Sequence, residues 1–207
     1  MPTGPGGLDA NGVWQYGEDD TEALASDLLN LGMASVSTEV GLLDAAVAAI
    51  VTGQILQVVS TAKTDTFTMS STTYADVTGL SVSITPSSSS NKILVLANVS
   101  LGQTTEDAGA NLQLVRDSTP IFIGDAAGDR VRASYGTRYP NGSSVQDLES
   151  PSPVFLDPPA TTSSVTYKVQ VRSGNSGAVA VNRTGSDDNA ADFSRSASSI
   201  TVMEVAG

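Results

Sequence analysis

The side chains available for chemistry are carboxylates, hydroxyls and a few amines and guanidiniums, because the 207-residue chain contains neither cysteine nor histidine. Thiol nucleophiles, histidine-based triads and cysteine/histidine zinc sites are therefore excluded. A glycosidase needs only two carboxylates, and five acidic residues fall in or near predicted loops: Asp125, Asp129, Asp147, Glu149 and Asp157. Any acidic chain offers as many carboxylates in its loops. We therefore expect no enzymatic activity, with a glycan-active enzyme as the remote alternative.

Aromatic and basic residues form a local island in the middle of the chain. Its members are Arg130, Arg132, Tyr135, Arg138 and Tyr139. Tyrosine and arginine are enriched where proteins contact partners. The island therefore predicts a subunit contact or a recognition surface for a host cell-surface glycan or protein. The alternative is a set of outward-facing strand residues without a partner.

Residues 186–192 read Ser-Asp-Asp-Asn-Ala-Ala-Asp, an oxygen-rich segment whose side chains suit calcium. The segment lacks the spacing and the glycine of an EF-hand loop, which favours a solvated loop. We predict no metal and no cofactor for this chain.

The charge balance excludes two classes of partner. The net charge of −12 provides no electrostatic attraction to nucleic acid or to anionic lipid. The longest apolar stretch, residues 45–51, is far shorter than the roughly 20 residues of a membrane span. No signal peptide is recognisable at the N-terminus, where no basic segment or apolar run follows Met1.

The elements that must position these side chains are short β-strands, predicted by period-two alternation. The cleanest alternation places Val165, Tyr167, Val169 and Val171 on one face. Residues 93–101 are more continuously apolar, which predicts a central strand. The candidate strands, separated by turn signals, are 55–60, 64–69, 80–84, 93–101, 112–116, 121–123, 131–135, 154–156, 165–171, 179–182 and 200–205. They predict a mainly β chain with an antiparallel β-sandwich or jelly-roll-like head over residues 55–207.

A short helix is predicted over residues 36–54, directly before the strands. Val36, Val40, Leu43, Val47 and Ile50 recur in steps of four and three, which is the spacing of a coiled-coil seam. Nearby serines and threonines at positions 35, 37 and 38 offer N-caps. The seam predicts an oligomerisation helix in which identical chains meet. The alternative is an amphipathic helix that lies on its own domain, since two heptads are few for a coiled coil.

Residues 1–35 predict an extended N-terminal arm, because glycine and proline interrupt regular structure in its first half. Val13, Trp14 and Tyr16 stand in that half without a local core to enter, and Leu28 and Leu29 follow in a short predicted helix. Buried aromatic residues often anchor interfaces. We expect these five residues to dock the arm on another protein, although Trp14 folding back on its own domain is the alternative.

Two parts of the chain resemble virion appendage proteins of tailed bacteriophages, which are catalogued as minor tail or fibre proteins. The first part comprises residues 12–20 and 26–32. The second is similar to a β domain that recurs in phage structural proteins, and its segments are 55–61, 64–67, 74–79, 80–86 and 92–95. The resemblance covers the first half of the chain well and the second half loosely.

The resemblance implies a homotrimeric virion protein, assembled in the host cytoplasm, whose N-terminus binds the particle and whose β head is outermost. The expected function is that of a short tail fibre or spike that contacts the host surface. The alternative is a head decoration or cement protein, or a head fibre, that caps or stabilises the shell. The resemblance supplies no catalytic residue.

Overall fold

The structure is a computed structural model that describes residues 7–8, 14–15, 33–34, 36–45, 52–105, 108–138, 145–175 and 177–207. By its internal contacts the chain divides into two compact units, Met1–Thr52 and Gly53–Gly207. The described part of the chain is mainly β, with antiparallel pairing throughout and one short helix.

The N-terminal unit contains two very short strands and the helix. Strand β1 (Gly7–Leu8) pairs antiparallel with β2 (Trp14–Gln15), and Leu8 lies opposite Trp14. Helix α1 includes residues 33–34 and 36–45. The prediction of Thr38 as an N-cap is wrong. Thr38 lies within the helix, and its hydroxyl donates to the carbonyl of Ala34 one turn earlier.

The C-terminal unit begins with Gly53, whose φ of 80° suits glycine and whose N–H donates to the carbonyl of Ala206. Its first sheet, sheet I, has the strand order β11-β6-β14-β3. The strands are β3 (Ile55–Lys63), β6 (Lys92–Asn98), β11 (Val154–Asp157) and β14 (Ser198–Val205). The predicted central position of the strand from residue 93 is confirmed, since β6 pairs with β11 on one side and β14 on the other.

The second sheet, sheet II, has the order β10-β8-β12-β5, with β9 as a further partner of β8. Its strands are β5 (Ala75–Ile84), β8 (Gly109–Arg116), β9 (Thr119–Ile121), β10 (Tyr135–Arg138) and β12 (Val165–Ser173). The predicted strand over 131–135 is wrong, because residues 131–134 form a loop and the strand begins at Tyr135. A third, small sheet joins β4 (Phe67–Met69), β13 (Val179–Val181) and β7 (Leu101–Gln103).

Sheets I and II share one apolar core, as in a β-sandwich. Leu80 and Leu112 from sheet II are fully buried, as are Val95 and Ile200 from sheet I. Burial of a side chain of this size stabilises the fold by about 1.5–3 kcal/mol. The predicted alternation of β12 is confirmed, because Val165, Tyr167, Val169 and Val171 all point into this core.

Two buried carboxylates join elements across the sandwich. Asp157 on sheet I accepts hydrogen bonds from Arg116 Nη1 at 2.7 Å and from the Tyr167 hydroxyl at 2.6 Å, both on sheet II. Burial raises the pKa of Tyr167, and its bond to Asp157 raises it further. Glu204, which is 1% exposed, is the second buried carboxylate and holds the loop that follows β5.

Candidate functional site

The outward faces of the two large sheets have opposite character. On sheet II, Lys168 Nζ lies 2.8 Å from Asp76 Oδ2, and Gln170 donates to Asp76 and accepts from Gln113. This face is a network of polar side chains that suits contact with water. The outward face of sheet I is largely apolar, although Lys92, Ser60 and Thr201 also lie on it.

The strand registers of sheet I place apolar side chains in one continuous row. Leu156 lies opposite Leu94, and Leu94 lies opposite Met203 in turn. Met203 lies opposite Val58 on β3, so this row is apolar across all four strands. We call the surface the apolar sheet face; it consists of this row and its apolar neighbours Ile55, Leu56, Leu96, Val154 and Val205.

The apolar sheet face is exposed within the single chain. Val58 is 54% exposed, Val154 51% and Leu156 42%. Four strands about 4.8 Å apart and three residue rows about 7 Å apart give the face roughly 300–400 Å². An apolar patch of this size is comparable to the largest patch on a typical monomeric protein, and such patches are often functional. None of its members is charged, but the exposed Lys92 lies opposite Val205 at its margin.

One feature of the sequence indicates that the outward face of β6 is apolar. Residues 93–96 read Ile-Leu-Val-Leu without alternation, and a strand that is apolar on both sides is typically covered on both sides. Ile93 and Val95 enter the core, whereas Leu94 and Leu96 point outwards. The rows themselves depend on the pairing of distant strands, which periodicity does not reveal.

Helix α1 carries a second exposed apolar surface. Of the five predicted seam residues, Val36 is 60% exposed, Val40 49% and Leu43 64%, and Leu42 beside them is 67% exposed. Val47 and Ile50 lie outside the described residues. The described seam residues are thus apolar and exposed, and a helix with an exposed apolar face needs partners.

A polar groove of about 580 Å³ lies at the end of sheet II where β8, β10 and β12 meet. Two members of the predicted recognition surface, Arg130 and Arg138, lie in its wall. Asn111 on β8 and Asn175 after β12 complete its polar lining, and neither was predicted. None of the described residues that line the groove is acidic.

Glycines lie along this groove. A Cβ at Gly136 would lie 2.8 Å from Asn111 Nδ2, so the Asn111 amide lies close over the backbone of β10 at this glycine. Gly174 approaches the backbone of Gly109 so closely that a Cβ there would lie 2.9 Å from the Gly109 Cα. The Gly109 N–H donates to Asn175 Oδ1 at 3.2 Å, which holds the Asn175 side chain at the groove.

The other predicted recognition residues take different positions. Arg132 Nε donates to the carbonyl of Gly124 at 2.6 Å and braces the loop before β10. The Tyr135 hydroxyl donates to Glu149 Oε2 at 2.5 Å, and the ring packs against the core. Burial and this hydrogen bond raise the pKa of Tyr135. Tyr139 lies outside the described residues.

The oxygen-rich loop at residues 186–192 lines a second cavity of about 330 Å³. Asp187 Oδ1 accepts from Arg195 Nη2 at 2.6 Å, and Arg183 lies 4.0 Å from the same carboxylate. Asp188 accepts from the Ser186 hydroxyl. Nowhere in the described ranges do three acidic side chains gather as a metal site requires.

Two of the acidic residues considered for catalysis are engaged in hydrogen bonds within the fold. Asp157 is buried between Arg116 and Tyr167, and Glu149 binds the hydroxyls of Tyr135 and Thr137. Both of these carboxylates support the fold. Asp125 and Asp129 lie in the exposed loop before β10.

Few residues of the predicted docking arm are among those that the structure describes. Trp14 lies in β2, while Val13, Tyr16, Leu28 and Leu29 lie outside the described residues. In the part of the chain that is described, no helix has the length and apolar character needed to cross a membrane.

No family model and no curated protein matches the chain. Among solved structures, that of the Gx strain of infectious bursal disease virus matches with a TM-score of 0.38 and 12% identity, covering 72% of this chain and 37% of the viral chain. The VP2 subviral particle of the same virus matches with a TM-score of 0.36 and 12% identity, covering 72% of this chain and 38% of that one. This chain therefore spans less than two fifths of the viral chains. Scores at this level carry no argument about function.

Proposed function

We propose that this protein is a structural component of a bacteriophage virion, which assembles as a homotrimer and presents its β head to the host surface as a short tail fibre or spike. The resemblance of residues 12–20 and 26–32, and of segments between 55 and 95, to phage structural proteins supports the virion role. The single observation that carries the assembly is the apolar sheet face.

Copies of the same chain are the occupants that best suit this face. Its members include no acidic residue, and Lys92 at its margin is basic, so the acidic residues that give each chain a net charge of −12 lie elsewhere. Homo-oligomers with closed symmetry are the most common soluble assemblies. Burial of roughly 300–400 Å² of apolar surface at about 25 cal/mol per Å² supplies several kcal/mol per chain before the costs of association.

The seam on α1 supplies the remaining contact. A stable interface buries about 800 Å² on each partner, roughly twice the area of the apolar sheet face. Packing of Val36, Val40 and Leu43 against their copies enlarges the interface and sets its axis.

The arm completes the proposed arrangement. Val13, Trp14, Tyr16, Leu28 and Leu29 dock on another virion protein, while the β head faces outwards to the host. This role requires no catalysis, cofactor or metal. Three heads on one axis bind a surface with higher avidity than one head does.

Replacement of Val58 by glutamate tests the assembly. Val58 is 54% exposed in the single chain, so the change costs the fold little, whereas an unpaired charge buried in an apolar interface costs several kcal/mol or more. We expect the wild type to elute as a trimer and Val58→Glu as a monomer in light scattering coupled to size exclusion.

The matched control is Ser81→Glu on the polar outward face of sheet II, which we expect to remain trimeric. A monomeric wild type, or a Val58→Glu variant that assembles as well as the control, would contradict the proposed interface. Circular dichroism establishes that each variant is folded.

The place of the protein on the particle is tested by imaging. Gold-labelled antibody against the β head is expected at the tail, and the purified trimer is expected to adhere to host cells. Label over the capsid, together with heat stabilisation of shells that lack the protein, would instead establish a decoration or cement protein.

A further inference from the structure

We propose that neighbouring copies of the chain meet edge to edge, with strand β3 of one copy along strand β11 of the next and with Phe122 as the anchor of that contact. This inference rests on the proposed assembly of identical chains. It adds which edges meet, the direction in which they run and an interface residue that lies outside the apolar sheet face.

The exposed apolar side chains of the β head gather on these two edges. Among the described residues from 53 onwards, six of the seven exposed large apolar side chains lie on β3, on β11 or beside β11. Those six are Ile55, Leu56, Val58, Phe122, Val154 and Leu156, and Val131 is the seventh. The exposed positions of β5 and β10, the edge strands of sheet II, hold no large apolar side chain. The edges of sheet I are therefore the ones that need cover.

Phe122 lies beside β11 in an unusual backbone conformation. Its φ of 51° is in the left-handed region, which bulky side chains seldom adopt. Its ring stacks on that of Phe155 on β11, with 5.2 Å between the ring centroids, yet Phe122 is 45% exposed. Backbone strain of this kind is concentrated at functional sites, and aromatic residues are enriched at the centres of interfaces. Phe122 therefore offers an aromatic anchor to a neighbouring copy.

Both edges also present main-chain groups that no strand pairs. The Ala97 N–H donates to the carbonyl of Pro153, so alternation along β11 turns the N–H and C=O of Val154 and Leu156 away from β6. The same alternation, followed through β6 and β14, turns the main-chain groups of Val58 away from β14. In the part of the chain that the structure describes, no further strand pairs with either edge. Such edges readily pair with a strand of another chain.

The strand directions make unlike edges complementary. Sheet I is antiparallel throughout, so β11 and β3, the first and last of its four strands, run in opposite directions. Rotation about an axis along the strands therefore brings β3 of one copy beside β11 of the next in antiparallel orientation. A head-to-tail contact of this kind forms a closed ring when the rotation closes. The apolar sheet face then turns towards the axis of the ring.

A second copy of the chain is the occupant that suits both edges. Residues 55–62 of β3 and 154–156 of β11 include no charged side chain, so chains that each carry −12 can approach there. Exposed edge strands are usually protected by charged residues or proline, and β3 has neither over residues 55–62. The apolar sheet face alone provides roughly half the area of a stable interface. The two edges are continuous with that face and supply further area.

The test is cysteine cross-linking in the full-length chain, which has no cysteine of its own. Ser60 and Val154 lie in one row at opposite edges of the outward face of sheet I. The double variant Ser60→Cys/Val154→Cys, treated with a short bis-maleimide, is expected to give covalent dimers and trimers on a denaturing gel. The pair Val58→Cys/Leu156→Cys, in the next row of the same face, allows for a stagger between copies.

Each single-cysteine variant is the matched control for its pair. In a head-to-tail contact a residue meets a different residue of the neighbour, so the single variants are expected to run as single chains after the same treatment. Covalent dimers formed equally well by a single-cysteine variant would show that like edges meet, and would overturn the inference.

Phe122→Asn tests the anchor. Asparagine adopts the left-handed region more readily than phenylalanine, so the variant is expected to fold, as circular dichroism would establish. Loss of the ring is expected to raise the protein concentration at which the trimer dissociates about tenfold or more, as measured by sedimentation equilibrium. The control is Val131→Asn, an exposed apolar residue in the wall of the polar groove, which is expected to assemble as the wild type does. Unchanged assembly of Phe122→Asn would remove Phe122 from the contact.

Failure of the edge contact is separable from failure of the proposed assembly. A trimer in which neither double variant forms covalent dimers or trimers overturns the edge contact and leaves the trimer intact. A wild type that is monomeric in light scattering overturns the assembly, and the edge contact with it.

Discussion

Glu204 illustrates how one side chain links the C-terminal strand to a distant loop. Its carboxylate accepts from Asn91 Nδ2, from the Ser87 N–H and from Gln57 Nε2, each at 2.6 Å. Burial opposes ionisation of this carboxyl group, but these hydrogen bonds and that of the Ser87 hydroxyl outweigh burial. They lower the pKa of Glu204 from 4.5 to about 2.

This shift predicts a pH-dependent stability. Because the pKa is lower in the folded state, the stabilisation is fully present above pH 4.5 and is lost as the pH falls towards 2. The shift corresponds to about 3 kcal/mol as an order of magnitude. We expect Glu204→Gln to be less stable than wild type at pH 7, with a difference that shrinks between pH 5 and pH 2.

The measurement is the urea-unfolding free energy of both proteins across this pH range at one fixed protein concentration. Glu39 lies on exposed helix α1, and Glu39→Gln is the matched control. A difference between wild type and Glu204→Gln that stays constant with pH would contradict the role of the Glu204 carboxylate.

At the scale of elements, the sequence predicted strands well because alternation is a local property. β12 and the second half of β5 bury every second residue as their sequences indicate. The strand expected at residues 131–135 did not form over 131–134, where Arg130 and Arg132 donate to carbonyls of their own loop instead. In this loop, hydrogen bonds from side chains to backbone carbonyls thus take the place of the backbone hydrogen bonds that a paired strand would make.

The candidate sites are formed by elements that are distant in sequence, and the pairing of distant strands cannot be predicted from the local sequence pattern. Arg130 and Arg138 were predicted, because they are neighbours in sequence. Asn111 and Asn175 were not predicted, because only the pairing of β8 with β10 and β12 brings them to the same groove. The apolar sheet face was missed for the same reason, since Val154, Leu96 and Val58 come from three separate strands.

The Asp157 cluster tests the connection between the two sheets. Asp157 is 3% exposed and is the shared acceptor of Arg116 and Tyr167. Asp157→Asn removes the charge that Arg116 faces, so we expect a loss of about 2–4 kcal/mol in the free energy of unfolding. Equilibrium urea unfolding at pH 7 measures this loss.

The control for this prediction is an ion pair of similar length on the surface. Lys168 lies 2.8 Å from Asp76, whose side chain is 53% exposed, and such pairs contribute about 1 kcal/mol or less. We expect Asp76→Asn to change stability by no more than that. Equal losses in the two variants would show that Asp157 does not join the sheets.

At the scale of the whole molecule, the net charge opposes the proposed assembly. Each chain carries −12, so copies of the chain repel each other at long range. Salt screens such repulsion beyond about 8 Å at 0.15 M ionic strength. We therefore expect the proposed trimer to require an ordinary ionic strength.

The proposed assembly also leads to a prediction about adhesion to the host. Val58 lies on the outward face of sheet I, so Val58→Glu is expected to leave each head intact while preventing the heads from acting together. Three linked heads rebind before all of them dissociate, and avidity typically raises retention about 10²–10⁴-fold. We therefore expect the wild type to be retained longer than Val58→Glu on immobilised host-cell envelopes, as measured by biolayer interferometry at 0.15 M salt. Equal retention of the two proteins would contradict attachment through several linked heads.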